Sequence, residues 1–395
     1  MIHVANIVGA RPNLVKIAAL LSAQRARPDC FRPQLIHTGQ HHDASLSADL
    51  LGDLELPPPD LHLGICGGDR SGQLVRMVRA LEGCFVERRP DLVVVVGDVN
   101  STLAAAIAAH NCALPIAHVE AGLRSFDPSM PEEMNRIVTD SLSQQLFASE
   151  PSAVENLRRE SYPSSTIHLV GNVMIDTLIH FEPLAAARDT LAAHGVVKQA
   201  YAVLTLHRPA TVDREEAARP LLAAAAELAD RLPVVFPMHP RTRKAFARFG
   251  LLDACGKVPR LLVTPPLRYL DMLALVRAAR LVLTDSGGLQ EETSYLGVPC
   301  LTLRDGTERP YTVTHGTNRV IGTRPGRLLV EADRLLGGDV PPRRPMPLWD
   351  GRAAERITAV LAGDGSPRPA AEPAAPPDHL AARRRKVRLG ESLRP

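Results

Sequence analysis

Short runs of β-branched and other apolar residues recur along the chain, and each run is followed by a turn and an amphipathic stretch. Five runs lie in the first half, at residues 2–8, 35–38, 92–96, 116–119 and 167–170. Five more lie in the second half, at residues 201–207, 233–239, 261–264, 281–284 and 299–303. Because strands that alternate with helices form parallel βαβ units, the pattern predicts an α/β protein with doubly wound sheets.

The series of strand-like runs is interrupted near residues 171–200, where the sequence favours helix, and resumes after residue 200. Two such series predict two Rossmann-like domains that face a cleft, at residues 1–174 and 175–349. A terminal helix at residues 350–362 is expected to pack back on the first domain. The remaining segment, 363–395, is rich in Pro, Ala and Arg without apolar periodicity, which predicts disorder.

Composition narrows the class of protein. The chain has 395 residues, with 46 Lys and Arg against 43 Asp and Glu, and this near balance indicates no nucleic-acid partner. The first residues lack a basic segment and a long apolar run, so neither a signal peptide nor a membrane span is predicted. The six cysteines show no paired spacing. We therefore expect a cytoplasmic protein with reduced thiols and no membrane partner.

The candidates for chemistry follow the strands, because ligands of open α/β sheets bind beyond the carboxyl ends of the strands. The first run ends in Gly-Ala-Arg-Pro, which places Arg11 and Lys16 near a helix N-terminus, where anions bind well. Asp98 follows the third run, and Glu120 and Arg124 follow the fourth. Taken singly, each of these residues could be an ordinary surface, turn or capping residue.

An acidic pair opens the next predicted helix. The segment MPEEMNR carries Glu132, Glu133 and Arg136, although acidic residues in a first helical turn are also ordinary complements of the helix dipole. If the strands are adjacent, Asp98, Glu120 and Glu132 converge on one edge of the cleft. Several carboxylates at one place suit general acid and base catalysis.

The second half of the chain supplies cations at two successive strand ends. His207 and Arg208 follow the segment YAVLTL, and His239 and Arg241 follow the segment PVVFPM. A lone histidine after a strand is commonly a structural hydrogen-bonding residue. Two His-Arg pairs that face the same predicted cleft favour the binding of phosphate oxygens.

The segment TDSGGLQEE has the features of a diphosphate-binding turn. A predicted strand leads into Asp285 and Ser286, then Gly287 and Gly288 open a helix, and Glu292 follows one turn later. Glycine lets a diphosphate approach the backbone, the helix N-terminus attracts it, and the later carboxylate can accept ribose hydroxyls. The alternative is an ordinary Gly-containing turn. No GxGxxG sequence occurs, which argues against a nicotinamide dinucleotide.

Ten ordered segments resemble the non-hydrolysing UDP-N-acetylglucosamine 2-epimerase family: GARPNLVK, TGQHHD, VVGDVNST, IAHVEAGLRS, MPEEMNR, GNVMIDTL, TLHRP, MHPRT, TDSGGLQEE and RDGTERP. The resemblance covers roughly residues 1–360. It implies the glycosyltransferase-B arrangement, in which two Rossmann-like domains hold a UDP-sugar between them. It also implies a homodimer and no metal or redox cofactor.

The resemblance assigns residues to the site. It matches the family's substrate and catalytic positions to Arg11, Lys16, Asp98, Glu120 and His207, with Glu132 as a further catalytic carboxylate. It matches the family's nucleotide-binding positions to Ser286, Gly287, Gly288, Glu292 and Arg309. The other cations near the predicted cleft are added as candidates for substrate binding: Arg124, Arg136, His239 and Arg241.

The implied reaction is the reversible inversion of C2, which converts UDP-N-acetylglucosamine into UDP-N-acetylmannosamine. The hydrogen on C2 is not adjacent to a carbonyl group, so the implied route eliminates UDP to give 2-acetamidoglucal and then adds UDP back. The cations and the helix N-terminus would stabilise the departing diphosphate. The resemblance does not divide proton removal, proton return and charge stabilisation among the three carboxylates.

Some features depart from the family pattern and leave the substrate open. The segment ASLSADLL lacks a methionine-containing pattern common in the family near an activator pocket, so allosteric activation is not expected. GARP, GDVNST and the Ser-Phe after EAGLR also resemble relatives that epimerise UDP-diacetamido-uronic acids, whereas QEE and TERP resemble the N-acetylglucosamine enzymes. The sequence is also compatible with a glycosyltransferase of the same fold, a hydrolysing epimerase or a non-catalytic nucleotide-sugar sensor.

Overall fold

The computed structural model describes residues 1–40 and 44–364, and two parallel β-sheets form its framework. The first sheet has seven strands, β1 Ile2–Val8, β2 Phe31–His37, β3 Leu61–His62, β4 Leu92–Val96, β5 Ile116–Val119, β6 Gln145–Ala148 and β7 Ile167–Leu169. The second sheet has six strands, β8 Ala202–Thr205, β9 Val234–Pro237, β10 Leu261–Thr264, β11 Leu281–Thr284, β12 Cys300–Thr302 and β13 Asn318–Val320. Each sheet with its helices is called a domain below.

Helices connect the strands and cover both faces of each sheet. The first domain contains α1 Arg11–Arg25, α2 Ala44–Asp53, α3 Arg70–Arg88, α4 Asn100–Asn111, α5 Pro131–Leu142 and α6 Pro151–Arg159, and α7 Val173–Ala186 leads out of it. The helices that follow are α8 Thr190–Ala193, α9 Pro209–Val212, α10 Glu215–Arg231, α11 Pro240–Arg248, α12 Leu252–Gly256, α13 Tyr269–Ala278, α14 Gly287–Leu296, α15 Pro310–Thr314, α16 Pro325–Leu336 and α17 Ala353–Ala362.

The order of the strands creates a crevice at the edge of each sheet. The first sheet runs β3-β2-β1-β4-β5-β6-β7 and the second runs β10-β9-β8-β11-β12-β13. In both sheets the chain winds first to one side of the opening strand and then to the other. The helices on either side of such a switch point leave a crevice at the carboxyl ends of the strands. The prediction of doubly wound parallel sheets is therefore confirmed.

The strand β4, with the sequence LVVVV, shows why the sheets are buried on both faces. Successive side chains of a strand point to opposite faces, so Val94 and Val96 pack in one core with Leu14 of α1. Val93 and Val95 pack in the opposite core with helix α4. A central strand that is covered on both sides therefore has an unbroken apolar sequence.

Three strands were not predicted, and each has a weak sequence signal. The strand β3 has only two residues, and β13 has three, of which two are Asn and Arg. The strand β6 reads QLFA and contains no β-branched residue. The strand β8 also ends at Thr205, earlier than the predicted 201–207, so His207 lies beyond the strand end.

The last described helix, α17, contacts α1 and α7. The side chain of Asp176 on α7 accepts a hydrogen bond from the amide of Ala354 at 2.7 Å, which satisfies one free amide at the start of α17. Residues 41–43 of the segment TGQHHD, and residues 365–395 of the segment with predicted disorder, lie outside the described residues. Among the described residues, no helix combines the length and apolar character needed to span a membrane.

Candidate active site

The first anion-binding candidates, Arg11 and Lys16, lie on α1, which follows β1. Arg11 is the first residue of α1, so the helix N-terminus follows the strand directly. Asn13 closes this turn, because its side-chain oxygen accepts hydrogen bonds from the amides of Gly9 and Ala10 at 3.3 and 3.1 Å. Arg11 lines the cleft between the domains and donates a hydrogen bond to the carbonyl of Leu267 in the second domain, at 3.4 Å.

Glu120, directly after β5, is held between two cations. Lys16, which is buried on α1, forms an ion pair with one carboxylate oxygen. Arg309 donates to the other oxygen at 2.6 Å. Burial would raise the pKa of Glu120, but the charges of Lys16 and Arg309 lower it to about 2. Glu120 is therefore a carboxylate throughout the physiological pH range.

Arg309 joins the two domains at this point. It precedes α15 in the second domain, and its guanidinium lies between Glu120 of the first domain and Glu291 of α14, 3.2 Å away. Its Nε donates to the carbonyl of Gly287 at 3.2 Å. Burial raises the pKa of Glu291 to about 8, although the charge of Arg309 opposes that rise. Glu120 is therefore the more acidic of the two glutamates that contact Arg309.

Asp98, two residues after the end of β4, is oriented by α5. Arg136 lies 3.1 Å from a carboxylate oxygen of Asp98, and Asn135 donates to the Asp98 carbonyl at 2.7 Å. Arg136 is buried and also pairs with Glu133 at 2.5 Å. Glu133 accepts a hydrogen bond from the amide of Ser125 at 2.8 Å. The side chain of Arg136 is therefore engaged with Asp98 and Glu133, and Glu133 holds the preceding loop.

Glu132 lies on the more open side of the same helix turn. Its side chain is 37% exposed, and one carboxylate oxygen is 3.9 Å from the guanidinium of Arg208 in the second domain. Arg208 in turn lies 4.0 Å from Glu308. Glu132 therefore faces the second domain, whereas Asp98 is tied to its own domain.

His207 follows β8 and is oriented by a buried carboxylate. Its Nδ1 lies 2.8 Å from Asp285, and its backbone amide donates to the same carboxylate at 2.9 Å. Burial would raise the pKa of Asp285, but His207 and Thr211 lower it to about 2. Because Nδ1 is engaged with Asp285, Nε2 is the ring nitrogen that can meet a ligand in the cleft.

At the start of α11, the two members of the second His-Arg pair have different surroundings. The ring of His239 lines the cleft, 5.6 Å between ring centres from His207. His239 also caps its helix, because its Nδ1 accepts a hydrogen bond from the amide of Arg241 at 3.1 Å. Arg241 is exposed, forms an ion pair with Asp213 at 2.6 Å and is not among the residues that line the cleft.

The N-terminus of α14 opens on the cleft. Ser286 precedes the helix, and Ser286 and Gly288 line the cleft together with Glu292 one turn later. A Cβ atom at Gly287 would lie 2.7 Å from Glu308 and 3.2 Å from the guanidinium of Arg309, so a larger residue here would have to displace these side chains. Burial raises the pKa of Glu292 from its ordinary value of 4.5 to about 7.

The cleft has a volume of about 260 Å³, and some of the predicted site residues line it. The predicted residues that line it are Arg11, His207, His239, Ser286, Gly288 and Glu292. Its apolar wall includes Pro266, Leu267, Met272 and Leu289. The cluster of Lys16, Glu120 and Arg309 adjoins this cleft through the contact between Arg309 and Gly287. Within the described residues there is no group of three or more His, Cys, Asp or Glu side chains placed to hold a metal ion.

Arg124 lies apart from this assembly. It is buried, and its guanidinium binds Asp140 at 2.7 Å and both carboxylate oxygens of Glu160 at 2.8 and 2.7 Å. The expectation that ligands bind beyond the carboxyl ends of the strands, called the strand-end rule below, placed Arg124 at the correct edge of the sheet. It could not show that two carboxylates more than ten residues away would take up the guanidinium.

Three residues of the site were not singled out as functional from the sequence. Asp285 was recognised only as part of a turn, although its place directly after a strand and next to a histidine-bearing strand was a usable signal. Glu291 precedes Glu292, but adjacent helix residues face different directions, and only Glu292 lines the cleft. Tyr269 lines the cleft with a buried hydroxyl that has no partner among the described residues, and no feature of the sequence indicated it.

A protein-family model matches most of the chain. Residues 23–362 match the family model described as UDP-N-acetylglucosamine 2-epimerase. The UDP-N-acetylglucosamine 2-epimerase of Methanocaldococcus jannaschii is 36% identical over 361 residues, which cover 90% of this chain and 97% of that protein. The UDP-2,3-diacetamido-2,3-dideoxy-D-glucuronate 2-epimerase of Pseudomonas aeruginosa is also 36% identical, over 362 residues that cover 91% and 99%.

Solved structures agree with the sequence comparison. The M. jannaschii UDP-GlcNAc 2-epimerase, in complex with UDP-GlcNAc and UDP, aligns with a TM-score of 0.85 over 91% of this chain and 99% of that chain. The enzyme from Neisseria meningitidis bound to UDP-GlcNAc aligns with a TM-score of 0.83 at 27% identity, over 91% of this chain and 100% of that chain. The predicted glycosyltransferase-B arrangement is thus confirmed. This chain belongs to the UDP-N-acetylglucosamine 2-epimerase family, as its ordered motifs predicted, and is an isomerase.

Proposed function

We propose that this chain interconverts UDP-N-acetylglucosamine and UDP-N-acetylmannosamine, without hydrolysis, through elimination and re-addition of UDP. The observation that carries the proposal is the buried cluster of Lys16, Glu120 and Arg309, which meets the N-terminus of α14 beside the cleft. A departing diphosphate needs cations and amide donors, and proton transfer at C2 needs carboxylates. Both kinds of group lie together at the facing edges of the two sheets.

The second domain would hold the nucleotide. Gly287 and Gly288 offer backbone amides at a helix N-terminus for the diphosphate. Glu292, one turn later, would accept hydrogen bonds from the ribose hydroxyls, and the apolar wall that includes Pro266 suits a uracil ring. Arg11 and His207 line the same cleft and would complete the contacts to the phosphates.

The three carboxylates differ in environment, and this difference supports a division of roles. Breaking the bond between C1 and the phosphate oxygen leaves positive character at C1, and Glu120, held ionised with a pKa of about 2, would offset it. We assign proton removal from C2 and proton return to Asp98 and Glu132. Asp98 is tied to α5 while Glu132 faces the second domain, so the two can serve opposite faces of the sugar.

One observation favours a second substrate. The Pseudomonas aeruginosa relative, named for UDP-2,3-diacetamido-2,3-dideoxy-D-glucuronate, is as similar to this chain as the Methanocaldococcus jannaschii relative, at 36% identity. The same elimination and re-addition would act on that uronate, because the bonds that change lie at C1 and C2 in both sugars. The two substrates differ in their substituents at C3 and C5.

The family resemblance also supports proposals about the oligomeric state, the cellular compartment and the partners of the protein. We propose that the protein works as a homodimer in the cytoplasm, with the UDP-sugar as its only small-molecule partner and no cofactor. Its product would serve polysaccharide biosynthesis.

The test uses the purified full chain with each UDP-sugar in deuterated water, without added cofactor. Proton NMR follows the configuration of C2 and its deuterium content. We expect a mixture of UDP-N-acetylglucosamine and UDP-N-acetylmannosamine with deuterium at C2. Glu120→Gln should lower the rate by at least about 100-fold, because it removes a charge that is needed in the transition state. Glu227→Gln, on an exposed surface of α10, is the matched control and should keep the wild-type rate.

The remaining outcomes are equally distinct. Free N-acetylmannosamine together with UDP would indicate a hydrolysing epimerase. Deuterium incorporation with the diacetamido-uronate alone would select the second substrate. Absence of deuterium exchange at C2 with both sugars would overturn the proposal. The alternatives would then be a glycosyltransferase or a nucleotide-sugar sensor.

A further inference from the structure

His118 lies in β5, two residues before Glu120, and is completely buried. Both of its ring nitrogens make close contacts. Nδ1 is 2.6 Å from a carboxylate oxygen of Asp140 on α5, and Nε2 is 2.9 Å from the carbonyl oxygen of Gly97 at the end of β4. No substrate contact is available to a side chain at this depth, so its role must be exerted through its neighbours.

The two partners determine where the protons of the ring lie. A carbonyl oxygen can only accept a hydrogen bond, so Nε2 carries a hydrogen and donates it to Gly97. The second oxygen of Asp140 accepts hydrogen bonds from the amide of Gly122 at 3.1 Å and from Arg124 at 2.7 Å. Both of these donors favour the ionised carboxylate. An ionised carboxylate accepts hydrogen bonds only, so Nδ1 must also carry a hydrogen.

The charges around the ring support this assignment. Burial would raise the pKa of Asp140, but the charges of His118 and Arg124 hold it below its ordinary value. Arg124 is itself bound by both oxygens of Glu160, at 2.8 and 2.7 Å. Glu160, Arg124, Asp140 and His118 therefore form a chain of alternating charges with a net charge of zero. A protonated His118 places its positive charge directly against the ionised Asp140, so each of these buried groups has a partner of opposite charge.

This ionic chain fixes the two turns that carry carboxylates of the proposed site. Gly97 immediately precedes Asp98, and its φ of 67° places it in the left-handed region. The turn after β5 contains Glu120, with a φ of 74°, and Gly122, whose amide binds Asp140. The carbonyl of one turn and the amide of the other are thus held by the same His-Asp pair.

We propose that His118, held as a buried imidazolium by Asp140, is a positioning residue that locks the turns after β4 and β5 together and so sets the placement of Asp98 and Glu120. The kinetic consequence rests on the proposed function, whereas the charge state does not. The groups that face the ring are Asp140 on α5, the carbonyl of Gly97 and, through Asp140, Arg124.

The charge state can be measured on the unmodified full chain. Histidine is labelled with a heavy nitrogen isotope, and the two ring nitrogens of His118 are identified by their loss in His118→Gln. At the pH of the activity assay, we expect both nitrogens to carry a proton and to show imidazolium chemical shifts, because each faces an acceptor. One protonated and one unprotonated nitrogen at that pH would overturn the proposal, whatever the protein's activity.

The positioning role is tested with Asp140→Asn, which keeps the shape of the side chain and removes its charge. Misplaced catalytic groups slow chemistry, so we expect kcat to fall by about 10- to 100-fold while KM and the Kd for UDP change by less than about threefold. In this variant one nitrogen of His118 should lose its proton. An unchanged kcat in a protein that binds UDP normally would contradict the role.

Glu160→Gln is the matched control, because the Glu160 side chain is 34% exposed and lies at the outer end of the chain. It should keep both protons on His118 and leave kcat within about twofold of wild type. If Asp140→Asn fails to fold, the nitrogen measurement on the wild-type protein still decides the charge state. If the wild-type protein lacks epimerase activity, the proposed function fails while the imidazolium stands or falls independently.

Discussion

At the scale of single residues, the buried glutamates Glu120 and Glu292 show how neighbours set a charge. Burial alone raises the pKa of a carboxyl group, and Glu292 follows that rule, with a pKa of about 7. Glu120 is as deeply buried, but Lys16 and Arg309 bring its pKa to about 2. Both residues could be identified from the sequence as acidic site candidates. Their charge states could not, because Arg309 is 189 residues from Glu120 along the chain.

The ion pair between Lys16 and Glu120 leads to a testable pH effect. Lys16→Met keeps the length of the side chain and removes its charge, so the pKa of Glu120 should rise. Since we propose that Glu120 acts when ionised, activity is lost as the pH falls through this raised pKa. The acid limb of kcat/KM should therefore appear at a higher pH in Lys16→Met than in the wild-type protein, in addition to a lower maximum.

Lys198→Met is the control for this measurement, because Lys198 is exposed and lies outside the cleft. Its pH profile should superimpose on that of the wild-type protein. An acid limb at the same pH in all three proteins would mean that Lys16 does not set the charge of the catalytic carboxylate.

At the scale of the elements, the sequence predicted the strands that carry β-branched apolar runs and missed β3, β6 and β13, which lack such a run. Runs such as LVVVV in β4 carry a clear signal, whereas the two residues of β3 carry none. The strand-end rule placed Asp98, Glu120 and His207 at the correct sheet edges. It failed to distinguish Arg124, which binds Asp140 and Glu160, from cations that face the cleft, because such partners depend on how helices pack.

The helix α2 provides a prediction at this scale. Asp53 at its end is buried and binds Arg268, just before α13, at 2.5 Å, and Arg188, just after α7, at 3.3 Å. Arg268 follows the loop that contains Pro266, part of the apolar wall of the cleft. Asp53→Asn removes the charge that anchors this loop, so we expect the Kd for UDP to rise by roughly 10-fold. Calorimetry with UDP measures the effect.

Asp230→Asn, on an exposed position of α10, is the matched substitution and should leave the Kd for UDP unchanged. Normal UDP binding by a folded Asp53→Asn protein would show that the loop holds its place without the charge of Asp53.

At the scale of the whole molecule, the site exists only where the two domains meet. Arg309 of the second domain binds Glu120 of the first, and Arg11 of the first domain reaches the carbonyl of Leu267 in the second. Two domains and a cleft were predictable from the repeated strand series, and we propose the boundary between residues 174 and 175. The contacts across the cleft were not predictable, because they depend on the relative placement of two separately folded sheets. Exclusion of water from this cleft during turnover would protect the glycal intermediate that we propose from hydrolysis.

The central claim is that the bond between C1 and the phosphate oxygen breaks and forms again within this cleft. The most direct test places a heavy oxygen isotope in the bridging position between C1 and the β-phosphate of UDP-N-acetylglucosamine. Phosphorus NMR then follows the position of the label during turnover by the wild-type protein. If UDP leaves and returns, its β-phosphate can rotate before bond formation, so we predict that the label spreads to the non-bridging oxygens. Inversion of C2 with the label confined to the bridging position would contradict the account.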